Sequence, residues 1–208
     1  MKARDNPFGA TRVLAAIRYT DPAGDLDDSR HSAASLLPRL EALGYRAAIV
    51  GPHGSGKTTL LEDLEHVLTQ RGFRITHVRL DTEDRRLPRK WRSWRSPLAQ
   101  GRDTGRDTRD IICLDGAEQL NPIAWTWFRW QARHARGLII TTHRPGRLPT
   151  LIACATNAAL LDRIIQRLTP DRLAAAPPAA ELFTRHRGNL RNALRELYDV
   201  YAAEGNQP

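Results

Sequence analysis

The segment Gly51-Pro52-His53-Gly54-Ser55-Gly56-Lys57-Thr58 limits what this chain can fold into more than any other stretch. It fits the pattern G-x-x-x-x-G-K-[ST] at every fixed position. The glycines let the backbone curl tightly with its N–H groups pointing inward. A short apolar run, Arg46-Ala47-Ala48-Ile49-Val50, precedes the loop and reads as a buried strand. Thr58 to Arg71 follows, with Leu60, Leu61, Leu64, Val67 and Leu68 at helical spacing and Gly72 as a stop. A strand, a glycine-rich loop and a helix in that order aim backbone N–H groups and the positive end of the helix at an anion. The segment is therefore a phosphate-binding loop, and the expected ligand is ATP with Mg²⁺. Lys57 would reach the β- and γ-phosphates as a compact charge, and Thr58 would offer its hydroxyl to the metal. Pro52, His53, Ser55 and Thr59 complete the cradle.

Chance alone produces four such fixed positions in about 1% of chains this long, and the flanking strand and helix lower that further. Composition adds a second argument. The chain carries 32 Lys and Arg, almost all of them Arg. A chain that otherwise uses arginine keeps lysine where a planar fork would serve poorly, and Lys57 is such a place.

The rest of the chain supplies a sheet for the loop to sit on. Residues His31 to Leu43 have helical spacing through Leu36, Leu37, Leu40 and Leu43. Arg74 to Leu80 reads as a second strand, Ile111-Ile112-Cys113-Leu114 as a third, Leu138-Ile139-Ile140 as a fourth and Leu151 to Ala155 as a fifth. A helix runs from Asn121-Pro122 to about Ala135. Strands alternating with helices predict an α/β fold with a mostly parallel sheet. From Asn157 onward the pattern is helical only. The expected organisation is an N-terminal arm over 1–30, a core over 31–156 and a helical lid over 157–208, with a polar Arg- and Trp-rich insert at about 84–109.

The third strand ends in Asp115, a carboxylate suited to the Mg²⁺ shell. Glu118 lies just beyond it. The two cysteines, Cys113 and Cys154, sit in apolar runs and are expected to be free and buried, which agrees with a reducing cytoplasm. No run approaches the roughly 18 apolar residues that span a bilayer, and the first residues carry no apolar leader stretch.

Together, the loop, the Asp115 strand and the strand–helix order resemble the P-loop ATPases of the AAA+ group and its close relatives, including the signal-transduction branch. The tail is similar too: Gly188-Asn189-Leu190-Arg191 looks like the start of that family's sensor 2 helix. The resemblance covers roughly residues 40–205. It implies a five-stranded parallel sheet in the order 5-1-4-3-2, sandwiched by helices and followed by a small helical lid. It implies that Arg191 reaches bound phosphate from the lid and that a polar residue after the fourth strand senses the γ-phosphate; Thr142 is the first choice and His143 the next. It also implies that a carboxylate orients the attacking water. Family members often carry glutamate directly after the aspartate, where this chain has Gly116; Glu118 is the nearest substitute, beside the alternative of a helix-start glutamate favoured by the dipole. An arginine finger would come from Arg133, Arg136 or Arg144, none of which the sequence singles out.

Partners are open at this level. The net charge of +9 favours polyanions such as DNA or RNA, and the resemblance adds protein partners and homo-oligomers. The segment Arg85 to Arg95, with Trp91 and Trp94 among basic residues, fits either a nucleic-acid contact or one buried face of a short helix. Trp125, Trp127, Phe128 and Trp130 pose the same question: Trp127 and Trp130 share a face, most of the four are expected in the core, and any exposed one would mark a partner surface. Arg18-Tyr19-Thr20 fits a contact to the base or a surface-packed arm. Besides an ATPase switch, two other functions fit the loop: a small-molecule kinase, with Asp81, Glu83 and Asp84 facing an acceptor hydroxyl, and a nucleotide-dependent DNA-binding adaptor with little hydrolysis.

Overall fold

The computed structural model describes residues 6–8, 33–80, 109–169 and 177–204. The readings at Arg18–Thr20, at Asp81, Glu83 and Asp84, and at the Trp91 and Trp94 segment lie outside the described residues. The chain divides into two compact units. One comprises Ala33–Gly51 and Leu60–Ala153; the other comprises Pro52–Thr59 and the chain from Cys154 on, together with the N-terminal residues.

The larger unit is built on five strands: β1 (Arg46–Val50), β2 (Arg74–Arg79), β3 (Asp110–Asp115), β4 (Gly137–Thr142) and β5 (Thr150–Ala153). They form one sheet in the order β2-β3-β4-β1-β5. Every pairing is parallel. This is the predicted 5-1-4-3-2 order read from the other edge. Such a sheet must be covered on both faces, so its central strands are apolar throughout rather than alternating. β4 is buried at all six positions, and β3 at four of its six.

Alternate residues of the strands feed two cores. Ala48, Val50, Ile112, Leu114, Leu138 and Ile140 pack with Phe128 and Ala132. Those two residues come from helix α3 (Pro122–Gln131) and the 3-10 turn Ala132–His134 that extends it. On the opposite face Cys113 lies against Glu65 of helix α2 (Lys57–Gln70). Burial and the neighbouring Glu65 carboxylate push the Cys113 thiol well up from its ordinary pKa, which leaves it an inert thiol. Neither cysteine is in a disulfide and both are buried, as expected.

Two sequence expectations need correction. The helix expected over His31 to Leu43 begins only at Leu37: α1 spans Leu37–Ala42, and Ala33 to Leu36 form turns. Pro38 lies in the first turn of α1, where a residue without an N–H is tolerated, whereas deeper inside a helix it would break the ladder. The aromatic cluster after β3 is also less buried than expected. Only Phe128 is fully enclosed; Trp125 is half-buried, and Trp127 and Trp130 are 38% and 52% exposed. The inward stripe of α3 is Ala124, Phe128 and Ala132, spaced four apart, and Trp127 and Trp130 fall on the far side.

In the second unit, α4 (Ala158–Leu168), α5 (Ala179–Arg185) and α6 (Leu190–Glu204) enclose their own core. Leu160, Leu161, Ile164, Leu182, Leu190, Leu194 and Leu197 supply it, and Phe8 is buried among them. Asn6 fastens that N-terminal stretch by donating to the Tyr198 carbonyl at 2.9 Å. Asn157 caps α4 by accepting from the Leu160 N–H at 2.7 Å. No helix among the described residues is long and apolar enough to cross a membrane.

Candidate functional site

The carboxyl ends of the neighbouring strands β1 and β4 meet inside the sheet. Val50 pairs with Thr142, and the Gly51 N–H donates to the Thr142 carbonyl at 3.1 Å. The glycine-rich loop leaves the sheet from that point. Gly54 and Gly56 have φ of +73° and +82°, a region that L side chains enter at a cost and glycine enters freely. With both residues left-handed the loop closes on itself. Ser55 Oγ and Lys57 Nζ each donate to the Pro52 carbonyl, at 2.9 and 2.6 Å. Lys57 is only 8% exposed. A buried ammonium at the first turn of a 14-residue helix suits an anion, because the helix N-terminus and the lysine attract the same charge. Pro52 and His53 are exposed, Ser55 is buried, and Thr58 and Thr59 are half-buried.

The start of α6 abuts this loop. A Cβ placed on Gly54 would lie 3.2 Å from the backbone nitrogen of Arg191 and closer still to the Asn189 side chain. Asn189 Oδ1 also accepts from the Asn192 N–H at 3.2 Å and so caps α6. Gly188 turns the chain into this cap with φ +79°, and its carbonyl accepts from Thr156 Oγ1 at 3.0 Å. The Gly-Asn-Leu-Arg motif thus sets the first turn of α6 on Gly54. The Arg191 side chain itself is exposed.

In the larger unit Asp115 ends β3 with a side chain only 13% exposed. Thr141 Oγ1 donates to its Oδ1 at 2.7 Å, and Arg79 Nε donates to its Oδ2 at 3.1 Å. The same Thr141 oxygen accepts from the Gly116 N–H at 2.8 Å. Thr141 was not among the sequence candidates. It lies one residue before Thr142, and a buried threonine at the end of an otherwise apolar strand was the signal that could have found it. Thr142 is buried, and its hydroxyl donates to the Arg144 carbonyl at 3.2 Å.

Glu118 sits in the 3-10 turn Ala117–Gln119 that follows. Its Oε1 pairs with His143 Nε2 at 3.2 Å. Its Oε2 is buried and takes no hydrogen bond among the described residues. Such an acceptor is where a bound water would be satisfied. Arg147 adds charge close by: burial lowers its pKa and Glu118 partly restores it. Its Nη2 donates to the Leu120 carbonyl at 2.6 Å. Of the arginines considered as fingers, Arg133, Arg136 and Arg144 are all exposed; Arg133 lies over the Trp130 ring at 4.5 Å and Arg136 over the Tyr45 ring at 5.3 Å.

Residues 47–126 match the sequence profile of the AAA domain, dynein-related subfamily. That span holds the loop, β2, Asp115 and Glu118. Over that span the chain is similar to the P-loop ATPases of the AAA+ group. No curated protein matches its sequence. Among solved structures it is similar to the replication initiator DnaA bound to AMPPCP and single-stranded DNA, with a TM-score of 0.53 at 16% identity over 85% of this chain and 62% of that one. It is also similar to the Drosophila origin recognition complex bound to DNA, with a TM-score of 0.53 at 13% identity over 95% of this chain and 60% of that one. The chain thus spans under two thirds of each neighbour. At such identities the likeness is one of fold, and β4, β5 and the helices beyond residue 126 extend it past the matched profile.

Proposed function

We propose that this chain binds Mg-ATP at Gly51–Thr59 and hydrolyses it as a nucleotide-driven switch of AAA+ type. The observation that carries the reading is Lys57: a buried ammonium, held on a carbonyl of its own glycine-rich loop at the head of α2. A triphosphate would draw that ammonium off the Pro52 carbonyl, and the loop N–H groups would take the phosphate oxygens. Thr58 and Asp115 suit Mg²⁺, a hard cation that prefers hydroxyl, carboxylate and water oxygens. When bound, the ion would neutralise charge on the phosphates. Thr141 and Arg79 hold the Asp115 carboxylate in its orientation. Glu118, with one oxygen on His143 and one without a donor among the described residues, is the group we assign to orient the attacking water. Thr142 and Arg191 are assigned to read the phosphates from β4 and from the lid. Because Gly54 packs against the start of α6, a change in the loop is passed to that helix, which gives the switch its moving part.

The partner we propose is nucleic acid. The net charge of +9 supports it, as do the two neighbours captured with DNA. A nucleotide-dependent adaptor with little hydrolysis is the second reading, favoured by Gly116 after Asp115 and by the contact of Glu118 with His143. ATP turnover measured with and without DNA separates the two. Glu118→Gln is expected to keep ATP binding and to slow turnover by about 10²- to 10⁴-fold. Unchanged turnover would remove Glu118 from the chemistry, and no turnover in the unaltered chain under any condition would leave the adaptor.

A further inference from the structure

We propose that the outer face of α3 is a stacking platform for the unpaired bases of single-stranded nucleic acid. This rests on the nucleic-acid reading above and gives it a place and a strand form. Ile123, Trp127 and Trp130 are the large apolar side chains exposed among the described residues, at 82%, 38% and 52%. Their spacing of four and three puts all three on one face of α3. Trp127 and Trp130 are separated by about 4.5 Å along the axis, so two indoles present rings along one line. Exposed indoles in such a row are costly in water and are spaced to meet a partner.

Charge selects the partner. Between Glu118 and Asp162 the chain has no carboxylate and five arginines: Arg129, Arg133, Arg136, Arg144 and Arg147. One of them already sits on the platform: Arg133 lies 4.5 Å from the centroid of the Trp130 ring. Arg129 is exposed on the same helix. An apolar stripe with Arg133 on one of its rings and no carboxylate on its helix suits a ligand that is aromatic and polyanionic at once. Indole faces take bases of any sequence, and guanidinium groups beside them take the phosphates. A duplex hides its base faces and would leave the indoles without a partner.

The platform is also rigid. Asn121 caps α3 by accepting from the Ala124 N–H at 2.8 Å. Phe128 is fully buried on the opposite side and stacks with Trp125 at 6.2 Å. A helix pinned at its start and through its inner face presents the outer indoles without an ordering cost at binding.

The test is fluorescence anisotropy of a labelled oligothymidylate, longer than the roughly 4–16 nucleotides that one binding domain covers, against a duplex of equal length. The full chain is used, without nucleotide and with ATP. Single-strand binding that quenches tryptophan emission and weakens with salt is expected. Trp127→Leu or Trp130→Leu, which keeps an apolar side chain but removes the indole, should weaken it about 5- to 150-fold. Trp130→Phe, which keeps a π face, should stay within about threefold of the unaltered chain. These side chains are exposed, so circular dichroism and thermal melting should not change. Single-strand binding that ignores both leucine variants would overturn the platform while leaving the nucleic-acid partner standing. Tighter binding to the duplex would do the same. No oligonucleotide binding at low salt would overturn both. If Trp130→Leu altered only the particle mass, the face would be a protein contact and the proposal would be wrong.

Discussion

Substituting Gly54 by alanine probes the contact between the phosphate loop and the lid helix. Gly54 has φ +73°, and a Cβ there would lie 2.2 Å from Asn189 Oδ1 and 3.0 Å from Asn189 Cγ. The first penalty is conformational: a left-handed alanine costs about 1–2 kcal/mol. The second is steric. Asn189 can swing away, but its Oδ1 caps α6 through the Asn192 N–H, and a lost cap costs about 1 kcal/mol. Gly54→Ala should therefore destabilise by about 2–3 kcal/mol. Asn189→Ala alone should cost about 1 kcal/mol, the cap only. The double variant should cost no more than Gly54→Ala, because the cap is already lost there; the cycle then shows a coupling of about 1 kcal/mol. Urea denaturation of the four proteins measures all three differences. Strictly additive losses, or a Gly54→Ala cost under about 0.5 kcal/mol, would refute the packing of Asn189 on the loop.

Three other substitutions extend the account. Thr141→Val leaves Asp115 Oδ1 and the Gly116 N–H without the hydroxyl that joins them; it should cost about 1–3 kcal/mol in denaturation and lower ATP turnover. Phe128→Ala should cost about 3–5 kcal/mol, whereas Trp130→Ala on the outer face of the same helix should stay within about 0.5 kcal/mol; thermal melting of the pair checks which face of α3 is inner. Arg191→Ala, at an exposed position, should leave stability unchanged within about 0.5 kcal/mol and yet weaken ATP binding or turnover.

Much of this was legible in the sequence because local chemistry decided it. The loop pattern fixes Gly51, Gly56, Lys57 and Thr58, with Gly56 left-handed, so few chains carry it by chance. The central strands were readable because a parallel sheet covered on both faces needs continuous apolar runs, as at Ile111–Leu114 and Leu138–Ile140. What was not legible depends on which neighbour lies across the fold. Nothing local to Thr141 says that its hydroxyl reaches Asp115, and nothing local to Glu118 says that His143 takes one of its oxygens. The α3 aromatics failed for a related reason. Indoles favour burial by composition, and only the placement of Ala124, Phe128 and Ala132 against the sheet shows that Trp127 and Trp130 point outward.

The central claim is that Lys57 and its loop hold the phosphates of ATP. Calorimetric titration of Mg-ATP into the unaltered chain and into Lys57→Ala tests it most directly. The unaltered chain should bind one nucleotide, and loss of a charge-assisted contact worth about 1.5–3 kcal/mol should weaken Lys57→Ala about 10- to 150-fold with the fold intact. Equal affinity of the two proteins for Mg-ATP, or no binding to the unaltered chain, would contradict it.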